Sequence, residues 1–226
     1  MLLCGVTGAH YYGFPSADSD VDLKGIHLAR AEELLGLDAP RETHDVVAVF
    51  EGVEHDLTTH EAGKALALLL RGNGNVLERI LTPLQIVLSG PGAGGDLDEL
   101  RALARGAISK RFAPHYRGFF AGMRREHERS EAPRAKTLLY AYRVALTGVH
   151  LLRTGELRGD VTENARAYGF ADVGELVAFK REHGEKTPVD PALDAKHRAR
   201  WPALEAMLDD ALRTSALRTS RRTARS

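Results

Sequence analysis

The sequence predicts an α+β protein, with a mixed sheet and its helices over residues 1–90 and an all-α helical bundle over residues 96–212. Three observations predict it. Short apolar runs and alternating segments of strand length fill the first ninety residues, whereas the apolar pattern after residue 96 repeats at helical spacing. Between the two lies Ser89-Gly-Pro-Gly-Ala-Gly-Gly95, the clearest linker in the chain. Charge changes sign across the same region: residues 1–100 hold 16 acidic against 6 basic side chains, and residues 101–226 hold 15 against 25. Each half therefore carries a net charge of ten, negative first and positive second, which suggests cations at one and an anionic partner at the other.

Leu2–Val6 is a short apolar run of buried-strand type that breaks at Thr7-Gly8-Ala9. Val21–Leu28 alternates apolar and polar residues, as a half-buried strand does. Further strands are expected at Val46–Phe50 and Val53–Thr58. Ala62, Ala65, Leu66, Leu69 and Leu70 give helical spacing between Glu61 and Arg71, with a stop at Gly72-Asn73-Gly74. A short helix follows over Val76–Leu81. Beyond the linker, helices are expected at Leu97–Phe112, Pro114–Arg129, Ala135–Arg153, Leu176–Glu182 and Pro191–Leu212, two of them with Pro in the first turn. Leu138, Leu139, Tyr142, Ala145, Leu146, Val149 and Leu152 form the strongest apolar stripe. Residues 213–226 hold five Arg and no acid, and are expected to be a basic, disordered tail.

No apolar run approaches the ~20 residues a membrane helix needs. The N-terminus lacks the basic region and cleavage pattern of a secretory signal, so a cytoplasmic protein is expected. Cys4 has no second cysteine with which to form a disulfide or a structural zinc pair, and is expected to be inert.

Asp20 and Asp22 stand two apart at the head of a predicted strand, so their side chains leave one face with backbones about 7 Å apart. Adjacent carboxylates repel unless a cation neutralises them, and hard oxygen donors without His or Cys favour Mg²⁺ over zinc. Asp18-x-Asp20-x-Asp22 also matches the opening of a calcium loop. Leu23 stands where that loop needs Gly and Ala29 where it needs Glu, which excludes it. Upstream, main-chain N–H groups around Gly8 could cradle phosphates. Downstream, Asp56 lies on a later predicted strand. Three carboxylates converging from adjacent strands would suit two-metal phosphoryl transfer.

The order strand, Gly8-Ala9, Tyr12-Gly13, Ser19-Asp20-x-Asp22, Lys24-Gly25, then Asp56 resembles the DNA polymerase β-like nucleotidyltransferase superfamily. Within it, Asp56-Leu-Thr, Gly72-Asn73-Gly74-Asn75, Lys136, Arg143 and Thr154-Gly155-Glu156-Leu157 resemble the RlaP/YcgL-type predicted nucleotidyltransferases linked to RNA repair. The resemblance covers about residues 3–160. It implies a nucleotidyltransferase palm, with Asp20, Asp22 and Asp56 as catalytic ligands of two Mg²⁺ or Mn²⁺ ions. It further implies nucleotide contacts from Thr7, Gly8, Ala9, Ser19, Lys24, Lys136 and Arg143. The implied reaction moves a nucleoside monophosphate from an NTP to a hydroxyl, with an RNA end as preferred acceptor and pyrophosphate released. The alternatives are a non-catalytic nucleotide- or RNA-binding module, or transfer to a protein or small-molecule hydroxyl.

The chain departs from the family pattern at Ala9, where Ser is expected, which removes a hydroxyl from the phosphate region, and at Gly74, where Pro is expected. Met1 stands almost on the first strand, so either a leading helix is absent or the start is misassigned. Lys24 is suited equally to phosphate contact and to a salt bridge relieving the carboxylates. Lys136 and Arg143 share one face of the strongest predicted helix and suit either substrate contact or a solvated edge. Arg111, Arg117, Arg124 and Arg125 read chiefly as a solvated face, and His10, His27, His44, His55 and His60 lack ligand spacing.

Overall fold

The computed structural model describes residues 1–37, 40–88 and 93–219. Residues 89–92 of the expected linker and 220–226 of the tail lie outside the described residues. The chain divides into two compact units. One comprises Met1–Tyr11 with Asp20–Ala107; the other comprises Tyr12–Ser19 with Ile108–Ser226. Together they give the expected α+β architecture of a mixed sheet with helices followed by helices alone.

In the first unit, strands β1 (Leu3–Val6), β2 (Val21–His27), β3 (Thr43–Phe50), β4 (Val53–Glu61) and β5 (Gln85–Leu88) form one sheet in the order β3-β4-β2-β1-β5. β2 and β4 run parallel, and the other pairs are antiparallel. β5 had no clear signal of its own, because its four residues abut the Gly-rich segment. The short helices α1 (Gly8–Tyr12) and α2 (Ala31–Leu34) were likewise below the length at which periodicity shows.

Helices α3 (Ala62–Leu70), α4 (Gly74–Leu81) and α5 (Ala93–Ala107) complete the unit. The Glu61 carboxylate caps α3 by accepting from the Gly63 and Lys64 amides, and Asn73 caps α4 through the Val76 amide at 3.2 Å. Leu3, Ile26, Ala65, Leu69, Val76, Leu77 and Ile80 form the core, and buried Arg79 donates from Nη1 to the Gly25 carbonyl at 3.0 Å. The edge strand β3 is exposed along nearly its whole length, including Val46, Val47, Val49 and Phe50.

In the second unit, a 3₁₀ turn at Lys110–Phe112 leads into α6 (Ala113–Arg129), α7 (Ala135–Thr154), α8 (Val161–Ala167), α9 (Val173–His183), α10 (Pro191–Arg198) and α11 (Trp201–Thr214). α7 is buried all round from Ala141 to Leu152 and not along one stripe only, so polar Arg143, Thr147 and His150 are buried with it. Gly148 lets α6 approach closely, since a Cβ there would stand 2.7 Å from the Tyr116 Cβ. The helix expected over Pro191–Leu212 is two. Pro202 sits in the first turn of α11, where a missing N–H is tolerated, and the chain breaks before it. α8 carries a cap signal in Asp160, which accepts from the Thr162 and Glu163 amides. The tail begins in the last turn of α11. Ser215 then donates to the Leu152 carbonyl at 2.6 Å, and the Lys110 amide donates to the Arg218 carbonyl at 2.9 Å. Among the described residues no helix is long and apolar enough to cross a membrane.

Burial sets an acid limit on this fold. His60 and His115 are each pushed down to about 4, first by desolvation and then by nearby cations, Arg79 and Lys64 for His60 and Arg143 for His115. The unfolded chain protonates these imidazoles below the ordinary 6.5, and the folded chain only near 4. More protons are thus bound by the unfolded state in that window, and stability falls as pH drops from 6.5 towards 4. Melting curves between pH 7 and pH 4.5 should show this, and His115→Phe should flatten the slope. An unchanged slope in that variant would refute the assignment.

Candidate active site

In the sheet unit, the parallel register of β2 and β4 sets Asp22 directly opposite Asp56, and Lys24 opposite Thr58. Side chains two apart on a strand share a face, so these four meet. Lys24 Nζ donates to Asp56 Oδ2 at 3.0 Å and Thr58 Oγ1 at 3.2 Å, and stands 3.8 Å from Asp22 Oδ1. The salt-bridge reading of Lys24 is therefore the one its geometry supports. Its ammonium occupies the position that a cation between two carboxylates would take. Asp20 immediately precedes β2 and is only partly exposed. Among the described residues no group of three or more His, Cys, Asp or Glu is placed to hold a metal ion.

The Thr7–Ala9 turn lies against the same carboxylate. The Thr7 amide donates to the Asp22 carbonyl at 2.8 Å, and Gly8 follows at φ +64°. A Cβ on Gly8 would fall 1.8 Å from Asp22 Oδ2, so a side chain there must displace the carboxylate. Gly8→Ala is expected to cost about 1–2 kcal/mol through left-handed backbone strain alone, and to shift Asp22. A lowered melting temperature checks the first effect, and weakened divalent-ion binding the second. Ala9 is 4% exposed, so its methyl is packed in the core.

The helical unit holds the other expected residues. Ser19 Oγ donates to Glu185 Oε1 at 2.7 Å and accepts from Lys180 Nζ at 2.8 Å. Lys180, fully buried on α9, also donates to the Phe14 carbonyl at 3.1 Å and Ser16 Oγ at 2.8 Å, and pairs with Glu185 at 2.7 Å. Lys136 pairs with the second oxygen of Glu185. The Glu185 amide donates to Asp18 Oδ2, and with the Ser16 hydroxyl it holds the Asp18 carboxyl below its usual range. Burial would raise Glu185, but hydrogen bonds from Lys136, Lys180 and Ser19 outweigh it and leave it below the ordinary carboxylate value. Desolvation lowers Lys180, with Glu185 opposing.

Arg143 is 1% exposed, and its guanidinium stacks 3.8 Å over the Tyr12 ring. Lys180 and Glu185 were not among the residues singled out from sequence. A signal existed: Lys180 falls on the apolar positions of α9, seven after Val173 and four after Leu176. Arg117 and Arg124 pair with Asp209 and Glu205 of α11 at 3.0 and 2.9 Å.

The chain is 27% identical over 215 residues to the uncharacterised protein MJ0002 of the archaeon Methanocaldococcus jannaschii, an alignment spanning 94% of this chain and 84% of that protein. The profile of the RNA repair pathway DNA polymerase beta family, RlaP, matches residues 1–225, so both the sheet unit with its paired aspartates and the helical unit fall within it. By that match the chain belongs to the RNA repair pathway DNA polymerase beta family, whose name implies nucleotidyltransferase-like activity.

Proposed function

We propose that the chain is a metal-dependent nucleotidyltransferase that moves a nucleoside monophosphate from an NTP to a hydroxyl, with an RNA end as acceptor. The observation that carries this reading is the register pairing of Asp22 with Asp56, which puts two carboxylates on one face of adjacent parallel strands. Their hard oxygen donors, of which the Lys24 ammonium balances one charge of two, fit a hard divalent cation.

Asp22 and Asp56, with Asp20 beside them in sequence, would hold two Mg²⁺ or Mn²⁺ ions. Those ions, when bound, neutralise phosphate charge and lower the barrier to in-line displacement. Asp56 would accept the proton of the attacking hydroxyl. Thr7, Gly8 and Ala9 would face the phosphates, because their turn lies against Asp22. Lys24 would keep the carboxylates together before the ions arrive and turn its ammonium towards phosphate afterwards. In the helical unit, Lys136 is half-exposed and stands as a phosphate contact. Ser19 and Arg143 would act through packing, since both are buried.

Purified chain incubated with Mg²⁺ or Mn²⁺, each labelled NTP and a mixture of short RNAs should place label on RNA and release pyrophosphate. Full transfer by the Asp20→Ala/Asp22→Ala variant would refute this mechanism. One observation favours a second reading, a non-catalytic nucleotide- or RNA-binding module: Ala9, buried, in place of Ser. NTP binding with metal but without pyrophosphate release would select it. Aspartate-dependent label on protein would instead move the acceptor to a side chain.

A further inference from the structure

We propose that the outer edge of β3 pairs with a second copy of this chain, joining the two sheets edge to edge about a two-fold axis through Val46. β3 stands at the end of the sheet order, and among the described residues no strand pairs with its outer side. Edge strands are ordinarily kept from pairing by short length, Lys, Pro or a bulge. β3 has none of these. It runs eight residues in unbroken register with β4, contains neither Lys nor Pro, and carries Asp45 as its one carboxylate. Val46, Val47, Val49 and Phe50 are each more than half exposed.

The hairpin turn fixes which main-chain groups face outward. Glu51 and Gly52 have φ of 49° and 80°, as a two-residue type I′ turn requires, so Phe50 and Val53 exchange both ladder bonds. Alternation then gives the inner bonds to Phe50, Ala48, Val46 and His44, and Glu42 continues the series by accepting from the Glu61 amide at 2.8 Å. Thr43, Asp45, Val47 and Val49 therefore turn their N–H and C=O groups outward. With the axis through Val46, Thr43 meets the partner's Val49 and Asp45 meets the partner's Val47, so all four outward residues bond in both copies. Val46 meets the partner's Val46 at a close, non-hydrogen-bonded position. Two residues further out, Arg41 falls opposite the partner's Glu51, and symmetry repeats that pair at the other end. Opposite charges at both ends of the ladder are what select a second copy over an unrelated strand. Asp45 and its copy stand diagonally, about 7–8 Å apart, where water screens them.

A ladder of this length buries less surface than a permanent interface does, so the dimer is reversible, in the micromolar range. A two-fold axis perpendicular to the sheets keeps like faces together. Val47 shares a register row with Asp56 and Asp22, so both acid pairs come to one face of the joined sheet. The Asp56 main chains of the two copies are then about 15 Å apart.

Sedimentation of the full chain in EDTA, without nucleotide, reads association apart from the proposed chemistry. The particle should pass from one copy to two across the micromolar range. Val46→Lys sets two ammonium groups directly opposite each other and should leave the chain monomeric. Arg41→Glu and Glu51→Arg should each weaken association roughly 3- to 30-fold, and combining them should restore it. All three positions are exposed, so the variants should melt as the parent does. A parent chain that stays monomeric throughout that range would overturn the proposal, as would a dimer indifferent to Val46→Lys. A combined variant no tighter than the single ones would overturn the register. Asp22→Asn should associate as the parent does, so loss of transfer and loss of pairing are read separately.

Discussion

Asp22→Asn is expected to lower nucleotidyl transfer by about 10³-fold, the scale lost when a group that stabilises transition-state charge is removed. The fold should not suffer. Asp22 and Asp56 are like charges at one register position, and Lys24 bonds to Asp56 at 3.0 Å but stands 3.8 Å from Asp22. Asparagine removes the repulsion and leaves the closer ion pair intact, so the melting temperature should hold or rise slightly. Pyrophosphate release at saturating NTP with either Mg²⁺ or Mn²⁺, read beside a melting curve, separates the two effects. A variant that retains most of its activity would remove Asp22 from the chemistry. One that lost activity and unfolded would show that the carboxylate is structural.

The second large effect lies in the helical unit. Lys180→Met should destabilise that unit by about 3–5 kcal/mol, the usual result of removing one member of a buried ion pair. The methionine fills much the same volume, but Glu185 loses a cation, and Ser16, Ser19 and the Phe14 carbonyl each lose a donor. At about 2–4 °C per kcal/mol for a chain of this size, the shift should be roughly 10 °C. A Lys180→Met/Glu185→Gln double variant should recover part of it, since the buried Glu185 charge, left with Lys136 as its one cation, is then removed. A single variant that melts with the parent would mean that water replaces the ammonium and that the network holds nothing in place.

Strand alternation made the pairing of the aspartates legible. Val21–His27 reads as a half-buried strand, and once it lies beside Val53–Glu61 the register follows. Asp20 was harder to place. It precedes the first residue of β2, and the rule that residues two apart share a face holds only inside a strand. Lys136 and Arg143 show the limit of helix periodicity. The apolar stripe of α7 was plain, but whether the remaining positions met solvent or other helices depended on partners far away in the chain. Arg143 stands four residues after Leu139 and three before Leu146, positions that should have marked it as buried. Glu185 lay beyond reach altogether, because nothing local in a residue after a helix end reveals a partner 166 positions earlier.

That separation has a consequence for how the chain is made. Tyr12–Ser19 belongs to the helical unit, yet it emerges from the ribosome long before Lys180 and Glu185, which supply its buried partners. At the usual pace of about 5–20 residues per second, the segment waits roughly 10–30 s for them. During that interval Ser16 and Ser19 have only each other, Asp18 and water to bond, the carbonyl of Phe14 lacks its Lys180 donor, and the two aspartates that follow are tethered to an unfixed end. The buried network of the helical unit therefore closes only after the sheet unit has emerged. A chain truncated after residue 107 and released should resist proteolysis across its sheet while remaining cleavable between Tyr12 and Ser19.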